Sequence, residues 1–510
     1  MSTTRAGRWT LTVSILGSSL ALVDASVVNV ALPNIQRDIG ASVDHLQWIV
    51  EAYALLLSSL VLVGGALGDR FGRRRIFLAG VVVFALASIG CAAAPNANVL
   101  IAARAVQGFG AALLTPGSLA LISAAFQDEK DRASAFGKWS AASALMGAVG
   151  PVLGGWIVTH ASWRWIFLLN IPVAVAIVVL ALVGVEESRD ESAPRSMDWT
   201  GAALATLGLG LIVYALVSSE KLGGMTSHTV MLLLAFGVVA LGAFVVVEAH
   251  VRSPMVPLAL FRSPTFSGLN VLTLLLYTGL GGTFFFLPFL LIQVHGYSPA
   301  RTGAALVPLV LLIASISQST GALVTRFGVR RLLTIGPFTA AVGFALFALP
   351  TAAPGSYWTT FFPAVMVLGI GMGLTVAPLT TVVMGAVDTH HAGVASGISN
   401  AIARTAGLLA VAALGVLVVW RFNAILDERL AAMTLPANVL DAITHERSKL
   451  AGAEFPSWFD DATAQRVRAA INEAFVEAFR AATLTSAGLA ALGALAALLT
   501  VDRQSNRAQR

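Results

Sequence analysis

Three ionisable side chains, Asp24, Glu51 and Arg104, stand inside long apolar runs of this chain. A charged group at the centre of a bilayer costs roughly 2.5 to 3.5 kcal/mol on insertion scales, so such residues are functional candidates by default. Burial disfavours the ionised form of a carboxyl and a neighbouring guanidinium favours it, so Asp24 beside Arg104 could be switched by their separation alone. A carboxylate that takes a proton from one side of a membrane loses its attraction for a cation, and deprotonation on the other side restores it. That is the chemistry of a proton-coupled exchanger. The alternatives are structural: Asp24 and Arg104 as an ion pair between two helices, and Glu51, near the start of its segment, extending its carboxyl to the membrane surface.

Weaker polar and aromatic candidates lie in other apolar runs. Asn29 follows Asp24 in the first, and Asn400 and Arg404 form a polar pair near the other end of the chain. Arg404 could answer a protonation state or bind a loop carbonyl. The run Phe284, Phe285, Phe286, with Tyr277 preceding it, could offer aromatic faces to a cationic or planar solute. Consecutive helical residues point in different directions, so at least one of these rings would instead face lipid. His390 and His391 have no partner in sequence and read as solvated.

The elements that must position these residues are membrane helices. Hydrophobic residues make up 57% of the chain and charged ones 11%, against roughly 25% charged in soluble domains. A span of about 20 apolar residues crosses a hydrocarbon core, and that rule gives fourteen segments, the first at 10–31, the thirteenth at 392–420 and the last at 481–501. Arg5 and Arg8 before the first segment imitate a secretory signal, but the segment is too long for one and carries Asp24 and Asn29. The single cysteine, Cys91, allows neither an intrachain disulfide nor a metal cluster built from thiolates. Arginines in the turns between apolar runs, not along one helix face, give the net charge of +6 and argue against a nucleic-acid partner.

One turn occurs twice. GALGDRFGRRR, from Gly65 to Arg75, returns as GALVTRFGVRR from Gly321 to Arg331, 256 residues later in a chain of 510. A second echo, from Ala133 and from Gly393, aligns Gly137 with Gly397 and Gly147 with Gly407. The chain therefore reads as two related six-helix bundles. Their bounds are 1–190 and 263–510, with a linker and two inserted helices at 191–262 between them. The stretch 421–480, rich in both signs of charge, reads as an extracytoplasmic loop, folded as a small helical cap or left mobile.

Orientation follows from short-loop charge. With a cytoplasmic N-terminus, the inside loops hold Arg70, Arg73, Arg74, Arg75, Lys130, Arg132, Arg189, Arg195, Arg252, Arg262, Arg326, Arg330 and Arg331, against Arg37, Arg164, Lys221 and Arg301 outside. An even number of spans then puts both termini in the cytoplasm.

Five motifs together resemble the major facilitator superfamily, and within it the fourteen-helix drug:proton antiporters. The repeated turn is similar to the signature between helices 2 and 3, with Gly65, Asp69, Arg70, Gly72 and Arg73 in its defining places. LIAARAVQGFGAA resembles the helix 4 motif with a buried arginine, here Arg104. GAVGPVLGG, with Gly150, Pro151, Gly154 and Gly155, resembles the antiporter motif of helix 5, while LVDASVVNVALP and WRWIFLLNIP resemble helices 1 and 6 of the fourteen-helix branch.

The resemblance implies an all-α polytopic protein of the cell membrane, exporting lipophilic, often cationic, drugs or toxic compounds against protons. Asp24 would carry the proton, Arg104 would modulate it, and Glu51 would help select cations. Asp69 and its arginines would latch the cytoplasmic side by capping a helix N-terminus of the other half, asymmetrically, because Thr325 stands at the second copy. The helix 5 glycines would let a facing helix approach closely where the halves rock. Protons are the only coupling ion implied, with no cofactor or metal, and nothing demands an oligomer. The same scaffold also serves exporters of lipids or native metabolites, and a non-transporting membrane sensor is a further alternative. No phosphate-binding loop, HExxH or GxSxG turn is present to suggest an enzyme.

Overall fold

The computed structural model describes residues 5–126, 128–189, 198–251, 254–353, 355–387, 392–433, 435–456 and 458–501, and every regular element among them is helical. Arg195, Arg252, His390 and His391 lie outside the described residues.

Fourteen helices are long and apolar enough to cross a membrane. They are α1 Ala6–Ile39, α2 Val43–Phe71, α3 Arg73–Ala93, α4 Ala97–Ala125, α5 Ser134–His160, α6 Arg164–Gly184, α7 Trp199–Val217, α8 His228–His250, α9 Pro264–Val294, α10 Pro299–Gln318, α11 Val329–Leu346, α12 Phe362–Gly385, α13 Val394–Ala431 and α14 Asp461–Thr500. Several outrun their apolar cores. Hydropathy marks the part that lipid would cover, whereas the helix continues as long as its backbone hydrogen bonds and packing continue.

The stretch 421–480 is folded and largely helical. It is not one loop: α13 runs on to Ala431, a helix spans Ala437–Glu446, a 3-10 turn spans Arg447–Gly452, and α14 begins at Asp461. Asp460 caps α14 by accepting from the Thr463 backbone N–H at 2.8 Å. Arg429 pairs with Glu473, and Arg447 with Asp427. Charges read as solvent-loving therefore tie helix to helix.

The chain divides into two compact units, Met1–Val28 with Trp48–Ala259, and Asn29–Gln47 with Leu260–Arg510. In the first, α3 packs along α4 and against α6, and the inserted α7 and α8 pack on each other. Phe77, Phe84, Leu114 and Ile177 fill its core. In the second, α11 packs along α12 and against α14. The two patterns match with an offset of eight helices, the offset carried by the repeated turn. Within the second unit, Gln36 donates to the Lys449 carbonyl at 3.2 Å and accepts from Gln293 at 2.8 Å, fixing the segment 29–47 to the 3-10 turn.

Candidate functional site

Asp24 and Arg104 meet in the first unit. Arg104 Nη1 donates to Asp24 Oδ2 at 2.5 Å, and both side chains are 1% exposed. α4 brings Gln107 onto the same face, three residues on. Gln107 Nε2 donates to Asp24 Oδ1 at 2.8 Å, while its Oε1 accepts from Arg104 Nη1 at 2.6 Å. Asn170 Nδ2 donates to the same Oδ1 at 2.9 Å, and both amides also donate to Ser88 Oγ. Arg104 Nε donates to the Ile49 carbonyl at 3.1 Å, and its guanidinium lies 4.2 Å from the centre of the Tyr53 ring. One carboxylate thus collects three donors, and the network joins α1, α2, α3, α4 and α6.

Local sequence explains how each partner arrives. Gly108 lets α4 press on α2, because a Cβ there would lie 2.4 Å from the Tyr53 carbonyl oxygen. That approach sets the Tyr53 ring against Arg104. In α6 the helix breaks between Leu168 and Asn170. Pro172 supplies no backbone N–H, and its ring crowds the carbonyl four residues back. The break leaves Asn170 turned inward and 2% exposed.

Glu51, on α2, is fully buried, and neither carboxylate oxygen has a hydrogen-bond partner. It does not extend to the surface. Asn29 is half-buried with its Oδ1 unpartnered. In the second unit Phe285 is core, packed edge-on against Phe286 with ring centres 4.8 Å apart and tilted against Phe289. Phe284 and Tyr277 are half-buried. Asn400 is exposed and donates to the Ser396 carbonyl one turn back, and Arg404 is half-buried. The structure therefore joins Asp24 with Arg104 and does not join Phe285 to any polar candidate.

The helix that Gly150 and Gly154 admit is α1 of the same unit. A Cβ on Gly150 would lie 1.9 Å from Ser26 Oγ, and one on Gly154 would lie 2.8 Å from Val27. Pro151 lies within α5, and Gly155 is buried. In the second unit, Gly281 of α9 meets Gly407 of α13 in the same way, at 3.1 Å from its Cα.

At the first turn, Asp69 pairs with Arg73 of the same turn at 2.8 Å. The acid that caps a helix N-terminus here is instead Glu187, from the linker after α6. Its carboxylate accepts from the backbone N–H groups of Arg74 at 3.0 Å and Arg75 at 3.2 Å, where unpaired amides carry partial positive charge. Gly72 has φ 112°, and a Cβ there would lie 2.8 Å from the Glu187 carboxylate, so turn geometry and cap both require glycine. Gly65 faces Pro116 of α4, and Arg70 is exposed over the Phe71 ring.

The repeat preserves one hydrogen bond by position. Arg74 Nη1 donates to the Val185 carbonyl at the end of α6, at 2.8 Å. Its counterpart 256 residues later, Arg330, donates from Nε to the Leu498 carbonyl in the last turn of α14, at 3.0 Å. Each arginine meets the negative end of the sixth helix of its own unit. Gly328, at φ 81°, repeats the left-handed turn of Gly72.

Sequence reasoning missed Gln107, Asn170, Ser88, Tyr53 and Glu187. The spacing of Arg104 and Gln107 was a usable signal, since residues three apart share a helix face. Nothing comparable marks Glu187.

Residues 14–411 match the Major Facilitator Superfamily family model. A puromycin resistance protein of Streptomyces alboniger is 37% identical over 442 residues, 86% of this chain and 86% of the relative. A tetracenomycin C resistance and export protein of Streptomyces glaucescens is 32% identical over 427 residues, 84% of this chain and 79% of the relative. Among solved structures, a bacterial homolog of the human lysosomal transporter Spinster, inward-facing and unoccupied, superposes with a TM-score of 0.69 at 17% identity, covering 98% of this chain and 99% of that one.

Proposed function

The chain belongs to the major facilitator superfamily, a multi-pass protein of the cell membrane, and from that premise we propose that it is a proton-coupled antiporter exporting lipophilic, often cationic, toxic compounds by alternating access. Export of such compounds is supported by the resistance and export relatives. Coupling is supported most directly by the Asp24 network, in which one carboxyl group is held by Arg104, Gln107 and Asn170. A proton on Asp24 removes the counter-charge of a guanidinium that is 1% exposed. The clamp on α1, α3, α4 and α6 then loosens in a single event, which is how a local charge change is amplified into a two-state motion.

Glu51 takes the complementary role. A buried carboxylate without a donor is costly unless a proton or a cation neutralises it, so its two unpartnered oxygens suit a lipophilic cation in exchange for a proton. One-for-one exchange of a monovalent cation is electroneutral, and the pH gradient alone drives it. A neutral substrate also draws on the membrane potential, about 2.3 kcal/mol per charge per 100 mV.

The test is movement of an organic cation in proteoliposomes under an imposed pH gradient. The unmodified protein moves the cation, Asp24→Asn loses the response to the gradient, and Glu51→Gln loses preference for cations over neutral analogues. Full gradient-driven activity in Asp24→Asn removes Asp24 from the mechanism. Absence of cation movement by the unmodified protein turns the reading to a lipid or metabolite exporter.

A further inference from the structure

The inserted hairpin holds two carboxyl groups that the exchange mechanism does not use. Asp198 precedes α7 and Glu248 stands two residues from the end of α8, so an antiparallel pairing brings the start of one helix beside the end of the other. The pairing is close: a Cβ on Gly208 would lie 2.8 Å from Leu241, and one on Gly237 would lie 2.7 Å from Ile212. Asp198 is 7% exposed and Glu248 is 3% exposed.

Each acid has one oxygen satisfied by backbone and one left over. Asp198 Oδ1 accepts from the Gly201 N–H at 2.7 Å, and Glu248 Oε2 accepts from the Val256 N–H at 3.1 Å. Asp198 Oδ2 and Glu248 Oε1 are buried and have no donor, and the paired helix ends bring the two carboxyl groups into contact range of one another. Two carboxylates offer acceptors only, so that contact lacks a hydrogen.

We propose that Asp198 and Glu248 form a proton-binding site, in which one proton on Glu248 Oε1 is donated to Asp198 Oδ2 and clasps the open end of the inserted hairpin. The helix ends assign the partners. Asp198 caps the positive N-terminus of α7 with its other oxygen, whereas Glu248 lies beside the carbonyl-rich C-terminus of α8. The occupied pair carries a single negative charge, and loss of the proton leaves two buried carboxylates in repulsion. Among the described residues the charged group acting on Glu248 is Asp198. Among the described residues His250 also stands at this end, exposed with Nδ1 against the Val246 carbonyl. The site does not depend on the exchange mechanism. With the proposed orientation it would report cytoplasmic pH.

The experiment uses the full chain in lipid nanodiscs, with thermal unfolding followed upward from about pH 4.5 to about pH 9 in choline chloride and in sodium chloride of equal ionic strength. The midpoint of the unmodified protein is expected to fall as pH rises, and the fall to shrink by about 2 °C or more in Glu248→Gln. Asp198→Asn keeps an oxygen for the cap and should flatten the profile equally. The double variant should gain nothing beyond either single one, because repulsion needs both charges. In infrared spectra taken at stepped pH above about 4.5, a protonated-carboxyl C=O band should be present in the unmodified protein and lost in Glu248→Gln. Equal pH profiles in all variants, or an unchanged band, would overturn the proposal. So would restoration of the alkaline midpoint by sodium at fixed pH, which would make the site one for a metal cation.

Discussion

Arg104 is the residue on which most of the first unit's polar interior converges. It donates to Asp24, Gln107 and the Ile49 carbonyl and faces the Tyr53 ring while itself 1% exposed. Arg104→Ala should destabilise the protein by about 3 to 5 kcal/mol, the range for removing one partner of a buried ion pair, because the Asp24 carboxyl is left buried without its counter-ion. Arg104→Lys should fall between, since an ammonium cannot serve the Asp24, Gln107 and Ile49 directions at once. Equilibrium unfolding in detergent reads both, and an Arg104→Ala protein as stable as the unmodified one would mean the network is slack. His295, just past α9, makes a separate prediction in pH. Burial pushes its imidazole below the ordinary value of 6.5, its Nε2 has no partner, and its ring meets Phe361 edge-on. The folded chain therefore binds this proton less tightly than the unfolded chain. Its contribution to stability is complete above about pH 6.5 and declines as pH falls below it. His295→Phe should show a smaller loss of thermal midpoint between about pH 7 and pH 5, and an unchanged acid profile would exclude His295 as the source.

The turn between α2 and α3 is the element whose chemistry the structure revises. Gly72→Ala should cost about 1 to 3 kcal/mol for the left-handed conformation alone, and the added methyl would also displace the Glu187 cap. Glu187→Ala should cost about 0.5 to 2 kcal/mol, as for loss of a helix cap. The double variant should cost less than the sum, because the clash disappears with the carboxylate; strict additivity in a thermal or chemical unfolding cycle would mean that the two do not touch. Arg74→Ala and Arg330→Ala should each cost about 1 kcal/mol, since both donate to a helix-terminal carbonyl while partly in water. What was legible here followed from local pattern. Apolar runs gave the fourteen helices, the repeated eleven residues gave the two bundles, and the turn glycines stood in both copies. Glu187 and Asn170 escaped because their partners are distant in sequence, Arg74 by 113 residues and Asp24 by 146. Nothing local says which linker acid will turn back to the helix end. The length of α13 and the early start of α14 escaped for another reason: hydropathy registers lipid contact and not helix propagation.

At the scale of the whole molecule, the sidedness of the fourteen helices decides which compartment each end of the proposed exchanger faces. Thirteen basic residues in one set of short loops against four in the other favour the first set in the cytoplasm. Much of that excess lies at the two repeated turns, which therefore share a side. Cys91 is fully buried, so a membrane-impermeant thiol reagent meets a silent background. Lys221, between α7 and α8, and Arg326, in the last turn of the helix Thr320–Phe327 before the second turn glycine, are exposed and expected to face opposite ways. Lys221→Cys should be labelled in intact cells, and Arg326→Cys only after permeabilisation. The reverse pattern would invert the protein and place Asp69, Glu187 and the Asp198–Glu248 pair outside. Under an inward proton gradient, inversion would leave the exchange stoichiometry and the proton's downhill direction unchanged, but each gate would open to the other compartment. The labelling result therefore determines whether the repeated turn guards the cytoplasmic mouth or the outer one.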